Sequence, residues 1–160
     1  ESQAVTGGDF ISFSDRGRLP VTRAVFREAL RLYPPVAFFG RRAINAGKLR
    51  SFDIAPDSLI VVSPWIVQRH RQFWTHPEQL VPDRFLSDEY GEQQTGTWMP
   101  FGFGPRVCTG AAFATMEAEL ILSEINRRYH LKVCNPEAIK AASRLTVKPR
   151  DAVPVFVERR

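Results

Sequence analysis

The chain has only two cysteines in 160 residues, Cys108 and Cys134. Two thiols make no disulfide framework, and no second Cys or His stands at zinc-site spacing. A reducing compartment is the simpler reading, and the expected location is cytoplasmic. No apolar run approaches the roughly 20 residues of a membrane span; those at 59–62 and 118–125 are short or interrupted. No signal peptide is visible, although a chain beginning at Glu1 leaves an upstream anchor open. Internal repeats and low-complexity tracts are absent, which excludes a solenoid. The three histidines, His70, His76 and His130, form no His-x-x-x-His or carboxylate–His cluster. They read as surface or structural groups, not metal ligands. Basic residues occur singly or in pairs such as Arg41-Arg42 and Arg127-Arg128. Without a basic–aromatic repeat to stack bases, no nucleic-acid partner is expected.

What is present is an ordinary globular composition, 44% apolar and 24% charged, with enough apolar matter for a core. The net charge of +5 permits a basic face, but its scattering reads first as solvated surface. Residues 1–18 are polar and Gly-containing and read as loop. Pro20 stands where a helix tolerates proline. Apolar residues follow at helical spacing, and Pro34-Pro35 stops them, so the pattern predicts a helix over 21–33. Short strand-like runs at 36–39, 49–54 and 58–63 predict a small antiparallel sheet. Residues 65–71 read as a short helix and 73–97 as a long irregular segment of the functional kind. A second helix is predicted over 109–129. Alternating runs at 144–147 and 153–157, around Pro149-Arg150-Asp151, read as a hairpin. The class is mainly α with minor antiparallel β.

The sharpest local feature is residues 101–110, where three glycines and a proline surround Cys108 just before a helix. Gly102 and Gly104 allow a tight backbone path beside a flat ligand. Unpaired N–H groups near a helix start stabilise a thiolate. Gly110 lets the first turn come close to a planar group. Arg106 can offer a cation to a ligand carboxylate, and Phe101 can shield the sulfur from water. Three other readings stand beside this one. Cys108 is a small buried apolar residue, a redox or nucleophilic thiol, or part of a phosphate cradle. The last is weak, since no standard nucleotide fingerprint is matched and no Lys follows the glycines.

Phe101-x-x-Gly104-x-Arg106-x-Cys108-x-Gly110 resembles the haem-binding loop of the cytochrome P450 family at every fixed position. Glu28-Ala29-Leu30-Arg31 resembles that family's Glu-x-x-Arg helix, followed by Leu32-Tyr33-Pro34-Pro35. Pro82-Asp83-Arg84-Phe85 resembles its Pro-Glu-Arg-Phe element, with Asp83 for the commoner Glu. His70-Arg71 and Trp74 resemble the stretch before it. The elements occur in the family's order.

The resemblance implies the C-terminal part of the cytochrome P450 fold over 1–160, as one portion of a single domain. It implies a haem b cofactor with Cys108 as proximal thiolate ligand and sole catalytic and metal-binding residue. Gly102, Gly104, Gly110, Phe101 and Arg106 would line the cofactor, and Arg41 would meet a haem propionate. Arg42 beside it blurs that assignment, and a solvated strand arginine is an equal alternative for Arg41. Residues 36–39 would line part of the substrate pocket. Glu28 and Arg31, one helical turn apart, would alone be a weak surface pair. The resemblance instead implies a buried network in which Arg31 also reaches Arg84 or the backbone after Phe85. The implied reaction inserts one atom of O₂ into a small hydrophobic organic substrate. Electrons would come from NAD(P)H through a ferredoxin, flavodoxin or reductase. The match covers only the last two-fifths or so of a usual member, without the distal helix and its acid–alcohol pair. The expectation is therefore a partial chain, inactive alone, with an exposed apolar face. Two alternatives remain open: a haem-thiolate enzyme that rearranges peroxides or dehydrates, and a non-catalytic haem-binding or sensing protein.

Overall fold

A computed structural model of the chain describes residues 1–7, 9–87, 96–144 and 146–160. The central helix α2 spans Pro20–Leu32. Pro20 occupies its first turn, where a missing N–H costs nothing, and the Glu1 carboxylate accepts from the Val21 and Thr22 amides at 2.8 and 2.9 Å. Its buried side is half apolar and half polar: Ala24, Leu30 and Leu32 beside Thr22, Glu28 and Arg31. A buried polar stripe is stable only with partners, and those partners build the rest of the fold.

Residues 1–18 are not the expected loop. Helix α1 covers Ser2–Thr6, and a 3-10 helix covers Phe13–Arg18. Both pack on the last long helix, and this tertiary support overrides a weak local preference. The small sheet also differs from expectation. β1 (Phe39–Arg42) pairs antiparallel with β4 (Leu59–Val62), in register Phe39↔Val62. Between them β2 (Gly47–Leu49) and β3 (Phe52–Ile54) form a separate hairpin. The run at 49–54 thus holds a turn, at which Arg50 adopts a positive φ of 54°. Apolar alternation on both sides hid that turn, since arginine is no turn signal. Helix α3 is only Pro64–Val67. Of the irregular segment, Pro82–Phe85 forms a 3-10 turn; the remainder of that expectation falls partly on 88–95, outside the described residues.

Helix α4 runs Ala111–Arg128 and continues directly into β5 (Tyr129–Val133). The tail does not form the expected hairpin. β6 (Ala141–Ser143) pairs with β7 (Val147–Pro149), and β8 (Val155–Arg159) returns to β5. A period-two pattern marks a strand but does not choose its partner. Val147 N–H donates to the Pro35 carbonyl at 2.8 Å, so this tail reaches the end of α2.

Among the described residues, the buried apolar side chains are Leu19, Ala24, Leu30, Leu32, Trp74 and Met99. Many large apolar groups are exposed, Phe38, Phe113 and Phe156 among them. Polar seams therefore carry much of the packing. On α4, Glu119 is fully buried and accepts from Arg16 Nε at 2.9 Å and Arg23 Nε at 2.8 Å. One turn further on, Ser123 Oγ and Thr22 Oγ1 are 3.4 Å apart. Glu119→Ala removes a carboxylate shared by two partly exposed guanidiniums, which can turn to water. The expected cost is about 1–3 kcal/mol, read from urea unfolding. A loss below about 0.5 kcal/mol, the size of an ordinary surface change, would remove this seam from the account.

Candidate functional site

The site is built outward from α2. Glu28 and Arg31 are both fully buried, with Arg31 Nε to Glu28 Oε2 at 2.7 Å and Nη2 to Oε1 at 2.8 Å. The remaining donors of Arg31 reach backbone carbonyls: Gln68 at 2.8 Å, Pro77 at 2.7 Å and Gln79 at 3.0 Å. A guanidinium carries five N–H donors in a rigid fork, and each has an acceptor. The same group lies over the Trp74 ring, 5.1 Å from its centroid. Glu28 Oε1 also takes Val81 N–H at 2.9 Å and Arg84 Nε at 3.2 Å. Arg84 Nη2 donates to the His76 carbonyl at 3.0 Å.

The network joins Glu28, Arg31 and Arg84, with two corrections. Arg31 does not reach Arg84; the two cations meet through the Glu28 carboxylate, which alone can accept from both. The backbone it holds lies before the 3-10 turn at Pro82–Phe85, not after Phe85.

A second layer carries the chain toward Cys108. Arg27 stacks on Phe85 and Trp98, 4.5 and 4.8 Å from the ring centroids. Burial lowers its guanidinium pKa below the ordinary value, and nearby Arg23 adds to that. Trp98 Nε1 donates to the Arg27 carbonyl at 3.2 Å. The Trp98 ring meets Phe101 edge-on at 6.5 Å. Met99 N–H donates to Gln68 Oε1 at 2.6 Å. Gly102 N–H then donates to the Met99 carbonyl at 3.0 Å, and Cys108 N–H to the Phe101 carbonyl at 2.9 Å. The Phe101 contribution thus includes a carbonyl that closes the loop.

Gly102 and Gly104 take φ of +74° and +69°, a region that L side chains enter at a cost. A Cβ on Gly104 would meet nothing within 4 Å, and one on Gly102 only the Arg106 carbonyl oxygen at 3.9 Å. Alanine at either position therefore costs backbone strain alone, about 1–2 kcal/mol. Thermal unfolding of Gly104→Ala checks this, and an unchanged midpoint would contradict the loop geometry. A 3-10 turn at Gly104–Arg106 follows. Helix α4 starts at Ala111 with Gly110 as its cap, so Cys108 lies just ahead of the helix. Its thiol is free and exposed, unlike a small core residue.

The thiol borders an open cavity of about 620 Å³. Pro35, Val36, Phe39, Pro64, Met99, Pro100 and Phe101 supply apolar wall; Arg41, Arg42 and Arg106 supply cations; Gly40 and Gly102 complete it. The structure thus brings Cys108, Phe101, Gly102, Arg106 and Arg41 together with Val36 and Phe39 of the expected 36–39 stretch; Ala37 and Phe38 line a different cavity. Gly104 and Gly110 shape the loop without lining the cavity. A Cβ on Gly110 would lie 3.9 Å from Cys108 Sγ. Arg41 donates to the Gly40 carbonyl at 2.9 Å and lies over the Phe39 ring at 4.8 Å. Arg42 pairs with Asp57 at 3.4 Å on the exposed side. Gln68, Arg27 and Trp98 were not singled out by the sequence; no spacing or motif marks a buried glutamine.

Among the described residues no group of His, Cys, Asp or Glu could hold a metal ion. A single soft sulfur, apolar walls and a cationic rim suit instead a flat apolar cofactor that brings its own metal and carries carboxylates. Among the described residues no helix is long and apolar enough to cross a membrane.

Fold and site together define a haem-domain protein. The chain superposes on the cytochrome P450DA haem domain with a TM-score of 0.90 and 26% identity, covering 99% of this chain and 36% of that one. Residues 1–153 match the family described as Cytochrome P450, and the chain belongs to that family. It is 35% identical over 132 residues to cyclooctatin synthase of Streptomyces melanosporofaciens, covering 82% of this chain and 29% of that protein. Steroid 17-alpha-hydroxylase/17,20 lyase of Oryzias latipes is 37% identical over 124 residues, covering 75% and 24%. Thromboxane-A synthase of Sus scrofa is 31% identical over 138 residues, covering 84% and 26%. The chain thus spans about a quarter to three tenths of the length of these relatives. Family membership implies a haem.

Proposed function

We propose that this chain forms the cysteine-bearing side of a haem-thiolate monooxygenase, in which Cys108 would hold a haem b through its sulfur. The observation that carries this is the exposed Cys108 thiol at the wall of an apolar cavity rimmed by Arg41, Arg42 and Arg106. When bound, a thiolate-ligated haem supplies the activation of O₂ that places one oxygen atom in an organic substrate and the other in water.

The chain's own residues have separable tasks. Cys108 would provide the sulfur that holds the haem, just ahead of α4. Arg106 and Arg41, which line the cavity, would hold the haem carboxylates through charge-assisted hydrogen bonds. Val36 and Phe39 present apolar surface toward a small hydrophobic substrate and keep water out. The Glu28–Arg31–Arg84 network takes no part in proton transfer; it holds the segment that leads to the loop. Electrons arrive from NAD(P)H through a ferredoxin, flavodoxin or reductase. Relatives named as synthases stand beside one named as a hydroxylase, so monooxygenation is the proposed member of the family's reactions. The test is a carbon monoxide difference spectrum of the reduced, haem-loaded protein. A red-shifted Soret band of the thiolate type supports the reading; haem bound without that band overturns it.

A further inference from the structure

We infer that Gln68 is a positioning residue that sets the cysteine loop. It transmits the rigidity of the Glu28–Arg31 pair to Cys108 through a relay of hydrogen bonds joined by the backbone of residues 99–102. The inference rests on the reading of Cys108 as ligand and adds a residue to it.

Gln68 sits at the end of α3 and is fully buried. A glutamine amide is costly to bury unless its donors and acceptor are used. Here Nε2 donates to the carbonyls of Leu30 at 3.1 Å and Arg31 at 3.0 Å, at the C-terminal end of α2. Those carbonyls belong to the last turn of the helix, where intrahelical partners run out. Oε1 accepts from Met99 N–H at 2.6 Å. The residue's own carbonyl accepts from Arg31 Nη1 at 2.8 Å. Gln68 is therefore clamped by Arg31 at its backbone and by α2 at its amide nitrogen. Its one remaining atom, Oε1, fixes the chain entering the cysteine loop.

The relay continues along the backbone of the loop. The carbonyl of Met99 takes Gly102 N–H, and two residues after Met99 the carbonyl of Phe101 takes Cys108 N–H. Met99 is itself buried, so its N–H has no water to fall back on. An isosteric apolar side chain at 68 would leave this amide and two helix-end carbonyls unpaired while filling the same space. The loop would then shift or open to find water, and Cys108 would move with it. The side chain makes no contact with the cavity, so its effect on the ligand position is transmitted and not direct.

Gln68→Met in the full gene product is the test, with Cys134 as an internal reference. Cys134 is also a free exposed thiol, on a different part of the fold. In the haem-free protein, alkylation of Cys108 relative to Cys134 is expected to change by about tenfold, the scale of one lost buried hydrogen bond. In the haem-loaded protein, a share of the retained haem is expected to lose the thiolate-type band of the reduced carbon monoxide complex. A side chain that merely fills space would lower haem content or stability and leave both ratios unchanged within about twofold; that result overturns the inference. The unmodified protein supplies an independent reading by amide exchange. Met99, Gly102 and Cys108 are expected to open together as one unit, and free exchange of Met99 while Cys108 stays protected overturns it. Because alkylation is read without haem, failure here is separable from failure of Cys108 as ligand.

Discussion

Arg31→Ala is expected to cost about 3–5 kcal/mol, the scale for breaking a buried, hydrogen-bonded charge pair. It should take haem retention with it. The magnitude follows from what is left behind. Three carbonyls, those of Gln68, Pro77 and Gln79, lose their donor, and Glu28 keeps only Val81 N–H and Arg84. Each buried polar group left without a partner costs about 1–3 kcal/mol, partly relieved where water can enter. Domains hold only about 5–15 kcal/mol in total, and the apolar core here is small, so one such loss is a large share. Arg31→Lys keeps the charge but offers three donors from a single point instead of five in a fork. It should recover less than half of the loss. Urea unfolding and the haem content of the purified variants check both. Normal haem loading together with a stability change below about 1 kcal/mol would remove the network from the account.

How much of this was legible beforehand depended on whether a feature is local. The helix from Pro20 to Leu32 was readable because a proline start, helical spacing and a Pro34-Pro35 stop all fall within one short window. The cysteine loop was readable because its glycines, Arg106 and Cys108 are fixed by local backbone needs; the positive φ at Gly102 and Gly104 is the physical reason glycine stands there. Strand partners were not readable. The alternation in Val155–Arg159 suits any edge, and it is the position of β5 after α4 that decides the pairing. The turn at Arg50 carries no glycine or asparagine to announce it. The helical character of Ser2–Thr6 comes from packing on α4, not from its own residues. Polar burial was the least legible of all. Glu119 and Gln68 look like ordinary surface residues in a sequence, and only the folded backbone shows which carbonyls and amides need them.

Motif residues divide by what they touch: Glu28, Arg31 and Arg84 belong to the buried support, while others reach the cavity. Motif residues such as Cys108 and Arg106 face the cavity. Support residues such as Gln68 and Trp98 bond to backbone, and Arg27 stacks on aromatic rings.

The largest effect is expected at Cys108 itself. Serine is nearly isosteric with cysteine, so Cys108→Ser should leave the fold intact. The Cys108 N–H to Phe101 carbonyl bond is made by backbone, and the side chain is exposed. A change within about 0.5 kcal/mol in unfolding is expected, as for an ordinary surface substitution. The sulfur's chemistry, in contrast, has no substitute nearby. Cys134 lies beyond α4, and among the described residues no other Cys, His or carboxylate cluster stands ready to hold a metal. The most direct measurement is therefore the reduced carbon monoxide difference spectrum of the haem-loaded protein and its Cys108→Ser variant, taken side by side. The account requires the red-shifted thiolate-type Soret band in the unmodified protein and its complete loss in the folded variant. The same band in both would contradict it.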